Sequence, residues 1–218
     1  FKVPDDFTFV STIWQLPNML VVNLDLPAKN VAELIELLRK NPGKYSYASA
    51  GNGTTLHLSG ELFKVMAKVD MVHVPYRGAA PAMQDLLAGH IDLIIDQAVN
   101  ALPHVRNGAV KAYAVTARNR LAALPDIPTV DEAGLPGFYV TSWQAIWAPK
   151  GTPKEIINTL SAAVADALAD PGVRARLADL GQEIFARRQQ TPEALGDFHK
   201  AEIEKWWPII QAANIKPE

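Results

Sequence analysis

The chain has 218 residues, 49% of them hydrophobic, with 21 basic against 23 acidic side chains and a formal net charge of −2. That is enough apolar material for one large core or two small ones, which excludes disorder, and the absence of any block of like charge excludes the electrostatic footprint of a nucleic-acid binder. No run approaches the roughly 20 apolar residues of a spanning helix, no charged-then-apolar leader opens the chain, and the absence of cysteine removes disulfides and thiol catalysis.

In chain order the sequence predicts strands alternating with helices, an α/β architecture with a parallel or mixed sheet. Met19–Asn23 is a short apolar run that reads as a strand. Asn30 with Glu33 three residues later caps a helix whose apolar positions are Val31, Leu34, Ile35 and Leu38, and Pro42-Gly43 stops it. Tyr45–Ala48 is the next strand, followed by the turn Ser49-Ala50-Gly51-Asn52-Gly53 and a helix expected to bury Leu58, Leu62, Val65 and Met66. Met71–Pro75 is a strand ending in the turn Tyr76-Arg77-Gly78. Pro81 suits the first turn of the helix after it, which presents Met83, Leu86 and Leu87 inward and ends at Gly89. Ile91–Ile95 and Lys111–Thr116 read as buried strands, with Asp96 just past the end of the first. A proline-stiffened connection from Leu124 to Gly137 leads to a last strand near Tyr139–Ile146.

From Gly151 onward the pattern is helical. Thr152-Pro153-Lys154-Glu155 reads as a capping box ahead of Ile156, Ile157, Leu160, Val164 and Leu168, and two further helices start at Pro171 and Pro192. These helices lack strands of their own to cover, so the part of the molecule they build is short of sheet.

The turn Ser49-Ala50-Gly51-Asn52-Gly53-Thr54 is the most informative feature. Its glycines allow a tight bend, and the first amides of the following helix face outward, where they and the partial positive charge of the helix start suit the oxygens of an anion. Ser49, Asn52 and Thr54 add side-chain donors, and His57 lies one turn on. The same residues also describe a well-capped helix start with no ligand. A nucleotide fingerprint is absent: Leu56 stands where the third glycine would fall, and no lysine completes a P-loop. Asp96 leaves a buried strand where open α/β sheets place ligands, and equally caps the helix that runs toward Pro103. Tyr76, Arg77 and Gly78 follow another strand end. Arg77 is either a carboxylate partner or a solvated surface group.

Catalytic and metal readings find little support. Ser49, His57 and Asp96 have the residue types of a triad, but no serine sits in a G-x-S-x-G elbow. His57, His73, His90, His104 and His199 have no metal-ligand spacing, so neither a metal nor another cofactor is expected. Trp143, Trp147, Trp206 and Trp207 read as packing residues, with Trp143 also a candidate pocket wall.

The strings Tyr47-Ala48-Ser49-Ala50-Gly51-Asn52-Gly53-Thr54, His57-Leu58-Ser59-Gly60-Glu61-Leu62-Phe63 and His73-Val74-Pro75-Tyr76-Arg77-Gly78 resemble the Bug or TctC-type periplasmic solute receptors of tripartite tricarboxylate transporters. Leu124–Gly137 and Ala148–Pro153 resemble the same family's later signatures, in the same order. The resemblance implies a two-lobed, Venus-flytrap α/β fold that binds a small organic carboxylate (a dicarboxylate, tricarboxylate or aromatic acid) between its lobes in the periplasm and delivers it to membrane transporter subunits. Under it, residues 24–146 form lobe two, with crossings near Val22-Asn23 and Ile146–Pro149, and residues 1–23 with 147–218 form an incomplete lobe one. The resemblance matches residues 49–54 to the family's ligand-binding turn in lobe two, and with the strand-end candidates the expected ligand-binding set is Ser49, Ala50, Gly51, Asn52, Gly53, Thr54, His57, Tyr76, Arg77, Gly78 and Asp96. It also implies a preceding strand-helix-strand region with a second ligand-gripping turn. Without that region apolar area is exposed, and dimerisation is one expected remedy. The competing readings are an effector-binding or sensor domain and a serine hydrolase.

Overall fold

Pro17 divides the first strand of the chain between two sets of partners. The structure, a computed structural model, describes residues 5–215, and its first element is β1 (Phe7–Val22), sixteen residues long, where the sequence predicts a strand only from Met19. Trp14 and Gln15 pair antiparallel with β7 (Glu183–Ile184). From Asn18 onward β1 pairs antiparallel with β4 (Leu93–Gln97) on one side and with β5 (Lys111–Val115) on the other. Gln15, Pro17 and Asn18 break the apolar pattern and so read locally as loop. A proline has no amide hydrogen to give a ladder, and a changeover between partners is a position a strand tolerates.

The chain divides into two compact units, the described parts of Phe1–Leu16 with Trp143–Trp206, and of Pro17–Ser142 with Trp207–Glu218. The sequence reading places the crossings later, near Val22-Asn23 and Ile146–Pro149; residues 1–4 and 216–218 of its ranges lie outside the described residues.

The larger unit is built on a sheet of order β3-β2-β4-β1-β5. Here β2 (Ser46–Ser49) is parallel to both β3 (Val72–Pro75) and β4. Between these strands run α1 (Val31–Lys40), α2 (Thr55–Ala67), α3 (Ala79–Leu87) and α4 (Ala98–Arg106). The cap of α1 is as its sequence indicates: Asn30 Oδ1 accepts from the Glu33 amide at 2.9 Å while the Glu33 carboxylate accepts from the Lys29 amide at 3.0 Å. Val31, Leu34 and Leu38 are buried. Asp92, the one charge in an apolar run, accepts from the amide and hydroxyl of Ser46 at 2.7 and 2.9 Å.

Three local expectations need correction. The buried face of α2 carries Leu56, His57, Ser59, Gly60, Phe63 and Ala67 beside the expected Leu62, while Val65 is 60% exposed. Gly60 explains the rotation, since a Cβ there would lie 2.1 Å from Tyr47 Cε2, so the glycine lets α2 sit directly on β2. Leu87, expected inward, is 39% exposed. Strand β4 continues to Gln97, which puts Asp96 inside the strand rather than past its end.

The smaller unit takes β6 (Thr141–Pro149) from Trp143 onward, a strand that pairs with β1, followed by α5 (Lys154–Ala167), α6 (Pro171–Asp179), β7 and α7 (Pro192–Ala212). The last of these runs on past Trp206 into the larger unit. Val10, Ala148 and Ile157 form a small core with Ile146 against it. The capping box expected at Thr152 does not form: Pro153 is the N-cap without a side-chain bond, and the Thr152 hydroxyl donates to the Pro149 carbonyl instead. The short β7 interrupts what the sequence reads as helix alone. Apolar coverage is thin here, with Ile156 49% and Leu160 42% exposed and no buried residue in α6.

Candidate functional site

Because β3, β2 and β4 are mutually parallel, their carboxyl ends reach one edge of the sheet in register, with Ser49 opposite Pro75 and Ala48 opposite Ile94. The turn after β2, the turn Tyr76-Arg77-Gly78 after β3, and Asp96 near the end of β4 therefore share that edge. The first two turns are stitched together, since the Tyr76 amide donates to the Ser49 carbonyl at 3.0 Å and the Gly78 amide to the Ala50 carbonyl at 3.2 Å. Gly51 and Gly53 adopt φ of 127° and 73°, left-handed conformations that side chains disfavour.

Much of the turn's donor capacity is spent on the turn itself. The Ser49 hydroxyl donates to the Gly51 carbonyl at 3.1 Å and accepts from the Gly51 amide at 3.2 Å. The Thr54 hydroxyl donates to Gly51 O at 2.8 Å and takes the amide of His57 at 3.5 Å, so Thr54 is the N-cap of α2. The Gly53 amide donates to His57 Nδ1 at 3.2 Å, and Ile215 approaches Gly53 from the end of the chain. Asn52 is exposed and engaged. The sequence reading of Ser49 and Thr54 as outward donors is corrected accordingly, because both hydroxyls close the loop. What is left is the helix start: among the described residues the amides of Thr55 and Leu56 have no acceptor.

A residue that the sequence reading passes over, His73, completes the inner side of this turn. Parallel register sets it beside Tyr47, and its Nε2 lies 2.7 Å from Ser49 Oγ. Its ring stacks on His57 at 3.8 Å and 12°, and on Tyr47 at 4.9 Å. Burial drives His73 down to about 4, helped by His57 alongside it, and burial also lowers His57. Both imidazoles are therefore neutral at neutral pH. His57 Nδ1 accepts a hydrogen bond from the Gly53 amide, so the ring's own proton is on Nε2. Behind them the Tyr47 hydroxyl donates to Glu61 at 2.6 Å, and Lys64 pairs with Glu61 at 3.1 Å. The only local signal for His73 is its place in the strand before Tyr76; the partner it meets is 24 residues away.

The contact between Ser49 and His73 has the length of a nucleophile-base pair, but its environment opposes that use. Ser49 is fully buried, its hydroxyl is committed within the turn, and an imidazole held near 4 is a weak base at neutral pH.

The remaining candidates separate. Tyr76 gives its hydroxyl to Asp85 at 2.6 Å, and desolvation first, then this bond to the carboxylate, pushes the phenol up to about 12. Arg77 is exposed and makes no ion pair among the described residues. Asp96 is fully buried; its Oδ1 accepts from the Gln97 amide at 2.7 Å and from Asn100 Nδ2 at 3.3 Å, while Oδ2 has no partner among the described residues. Burial raises its carboxyl to about 6. It lines a cavity between α3 and α4 that the 49–54 turn does not border. Trp143 donates to Glu202 at 3.2 Å and packs edge-on against Phe198 in the smaller unit. Among the described residues no group of three metal-type side chains comes together.

The chain matches, over residues 1–215, the family described as "Tripartite tricarboxylate transporter family receptor". It is 41% identical over 206 residues to the UPF0065 protein of the tcbD-tcbE intergenic region of Pseudomonas sp. (strain P51), covering 94% of this chain and 60% of that protein. Among solved structures, an R. palustris protein with adipate superposes with a TM-score of 0.84 at 37% identity, covering 98% of this chain and 70% of that one. MatC from Rhodopseudomonas palustris with bound malate gives 0.82 at 38%, covering 94% and 69%. The periplasmic binding protein BugD gives 0.81 at 38%, covering 97% and 71%. The chain spans about 60% of the length of the curated relatives it matches first.

Proposed function

The chain belongs to the tripartite tricarboxylate transporter receptor family, with the α/β fold of the two-lobed periplasmic binding proteins, and from that premise we propose that it is a periplasmic receptor region that binds a small organic carboxylate without chemistry and serves a membrane transporter. The two compact units correspond in this reading to the two lobes.

The observation that supports it most is the pair of amides at the start of α2. Thr55 and Leu56 have no acceptor among the described residues, and Leu56 is only 4% exposed. The first amides of a helix have no partner within it, so this helix start offers donors to an external oxygen. A carboxylate supplies two, with negative charge matched to the helix dipole. The neutral histidines behind the turn lock its shape and add no charge: with His57 Nδ1 occupied by Gly53 and His73 tied to Ser49, the loop is held for its ligand instead of folding onto it. Malate and adipate, the ligands of two similar structures, set the class to be tried first. No helix among the described residues is long and apolar enough to cross a membrane.

A thermal-shift screen of mono-, di- and tricarboxylates, followed by calorimetry, tests the reading, because a ligand that binds only the folded state raises apparent stability. The decisive variant is Thr55→Pro. Proline is tolerated at the first helical position, and Thr54 already has the extended φ and ψ, −70° and 161°, that a following proline requires. The variant removes one amide donor and leaves the helix, so a bound carboxylate should lose about 1.5–3 kcal/mol of affinity. Unchanged affinity would remove the helix start from the site.

A further inference from the structure

We propose that the cavity between α3 and α4 is a second binding site, for a small primary ammonium compound, with Asp96 at its floor as the counter-ion. The cavity measures about 290 Å³, room for roughly ten water molecules at ~30 Å³ each. Ala80, Met83 and Leu87 of α3 form an apolar wall, and Asn100 and His104 of α4 face it. Asn100 and Leu87 are exposed at the rim, whereas Met83 and Asp96 are buried.

The charge at the floor selects the ligand class. An anion is repelled. One carboxylate oxygen, Oδ1, is held by Gln97 and Asn100, so only Oδ2 remains to meet a ligand. A guanidinium fork needs two oxygens in one plane, and a hard divalent cation needs several, whereas an ammonium needs one. Asp96 lines the cavity and Oδ2 is its oxygen without a partner among the described residues, so that oxygen is the one available to an ammonium entering there. A carboxylate buried with one unpaired oxygen is costly, and a cation offsets that cost more fully than a neutral hydroxyl does. Its carboxyl, raised to about 6 by burial, is still largely ionised at neutral pH. The apolar wall suits a short hydrocarbon body behind the ammonium.

This site is separate from the carboxylate reading, since no residue of the 49–54 turn lines it. The test is a titration of the isotope-labelled chain at about pH 7.5, well above the carboxyl range, with n-propylammonium, n-propanol and propionate in turn. The proposal expects saturable shifts of the Asn100 and Gln84 side-chain amides and of the Ala79 and Ala80 backbone amides with n-propylammonium alone. Asp96→Asn should weaken them at least about tenfold, and so should Ala80→Leu, which narrows the mouth and keeps the acid. Retained dispersion of the remaining resonances shows that each variant is folded. Shifts of equal size with n-propanol, ammonium binding that survives Asp96→Asn, or no saturable shift at these residues would each overturn it. Shifts of the Thr55 and Leu56 amides by propionate report on the turn alone, so failure of one site is distinguishable from failure of the other.

Discussion

The imidazoles of His57 and His73 lie face to face, with centroids 3.8 Å apart and planes 12° from parallel, although one belongs to the first turn of α2 and the other to β3. Such a stack is compatible with two neutral rings and incompatible with two charged ones. The relationship ties the shape of the 49–54 turn to protonation, because each ring also holds one residue of that turn, Gly53 through His57 and Ser49 through His73.

The first prediction follows from the sign of those shifts. Both histidines bind protons less readily folded than in the unfolded chain, where a histidine titrates near ~6.5. Between that value and about 4, to which burial lowers His73, the unfolded state binds more protons. Stability contributed by the pair is therefore present above pH ~6.5 and is lost as pH falls through this window. Carbon-detected titration should place His73 near 4; a midpoint at the unfolded value would contradict the buried stack.

Asp96 acts with the opposite sign. Its folded carboxyl is raised to about 6 from an ordinary value near 3.8, so the folded state holds the proton more tightly. Its favourable contribution is full below the unfolded value and is lost as pH rises through about 6. Asp96→Asn keeps an acceptor for the Gln97 amide and removes the buried charge. Denaturant unfolding should show the variant gaining stability relative to the parent at about pH 7.5 and losing that advantage near pH 4. An advantage that does not change with pH would rule out the burial account.

Close approach at Gly60 gives a packing prediction. A methyl group there meets the Tyr47 ring at 2.1 Å, so Gly60→Ala should destabilise the chain by about 1–3 kcal/mol despite the better helix propensity of alanine. Trimming the ring in Tyr47→Val should make the same substitution less damaging, a coupling that a double-mutant cycle reads directly. Additive effects would place the clash elsewhere.

The loop-closing role of Thr54 is testable without ligand. Thr54→Val removes the hydroxyl that bonds Gly51 and caps α2, and it should cost about 1 kcal/mol in denaturant unfolding. A neutral substitution would show that the cap contributes nothing and would return Thr54 to the list of outward donors.

Local grammar carries much of this fold. Asn30 with Glu33, the glycines after β2, and Gly89 after α3 punctuate the chain where the sequence says they do, since caps and turns depend on neighbours a few residues away. What escapes a reading of the sequence depends on pairings between distant segments. The opening residues of β1 are strand because β6 and β7 supply partners, His73 matters because register sets it beside Tyr47, and the face of α2 turns because Gly60 admits that ring. The candidate site divides in the same way. Its turn is recognisable from spacing, but the commitment of Ser49 to His73 and of Tyr76 to Asp85 is decided by neighbours that spacing does not specify.

The most direct test of the carboxylate reading follows the amide resonances of Thr55 and Leu56 while malate or adipate is added to the chain. The account predicts saturable downfield movement of these two amides, as hydrogens that acquire a charged acceptor, with weakened binding in Thr55→Pro. Saturable binding that leaves both resonances in place, or no binding by any carboxylate, would contradict it.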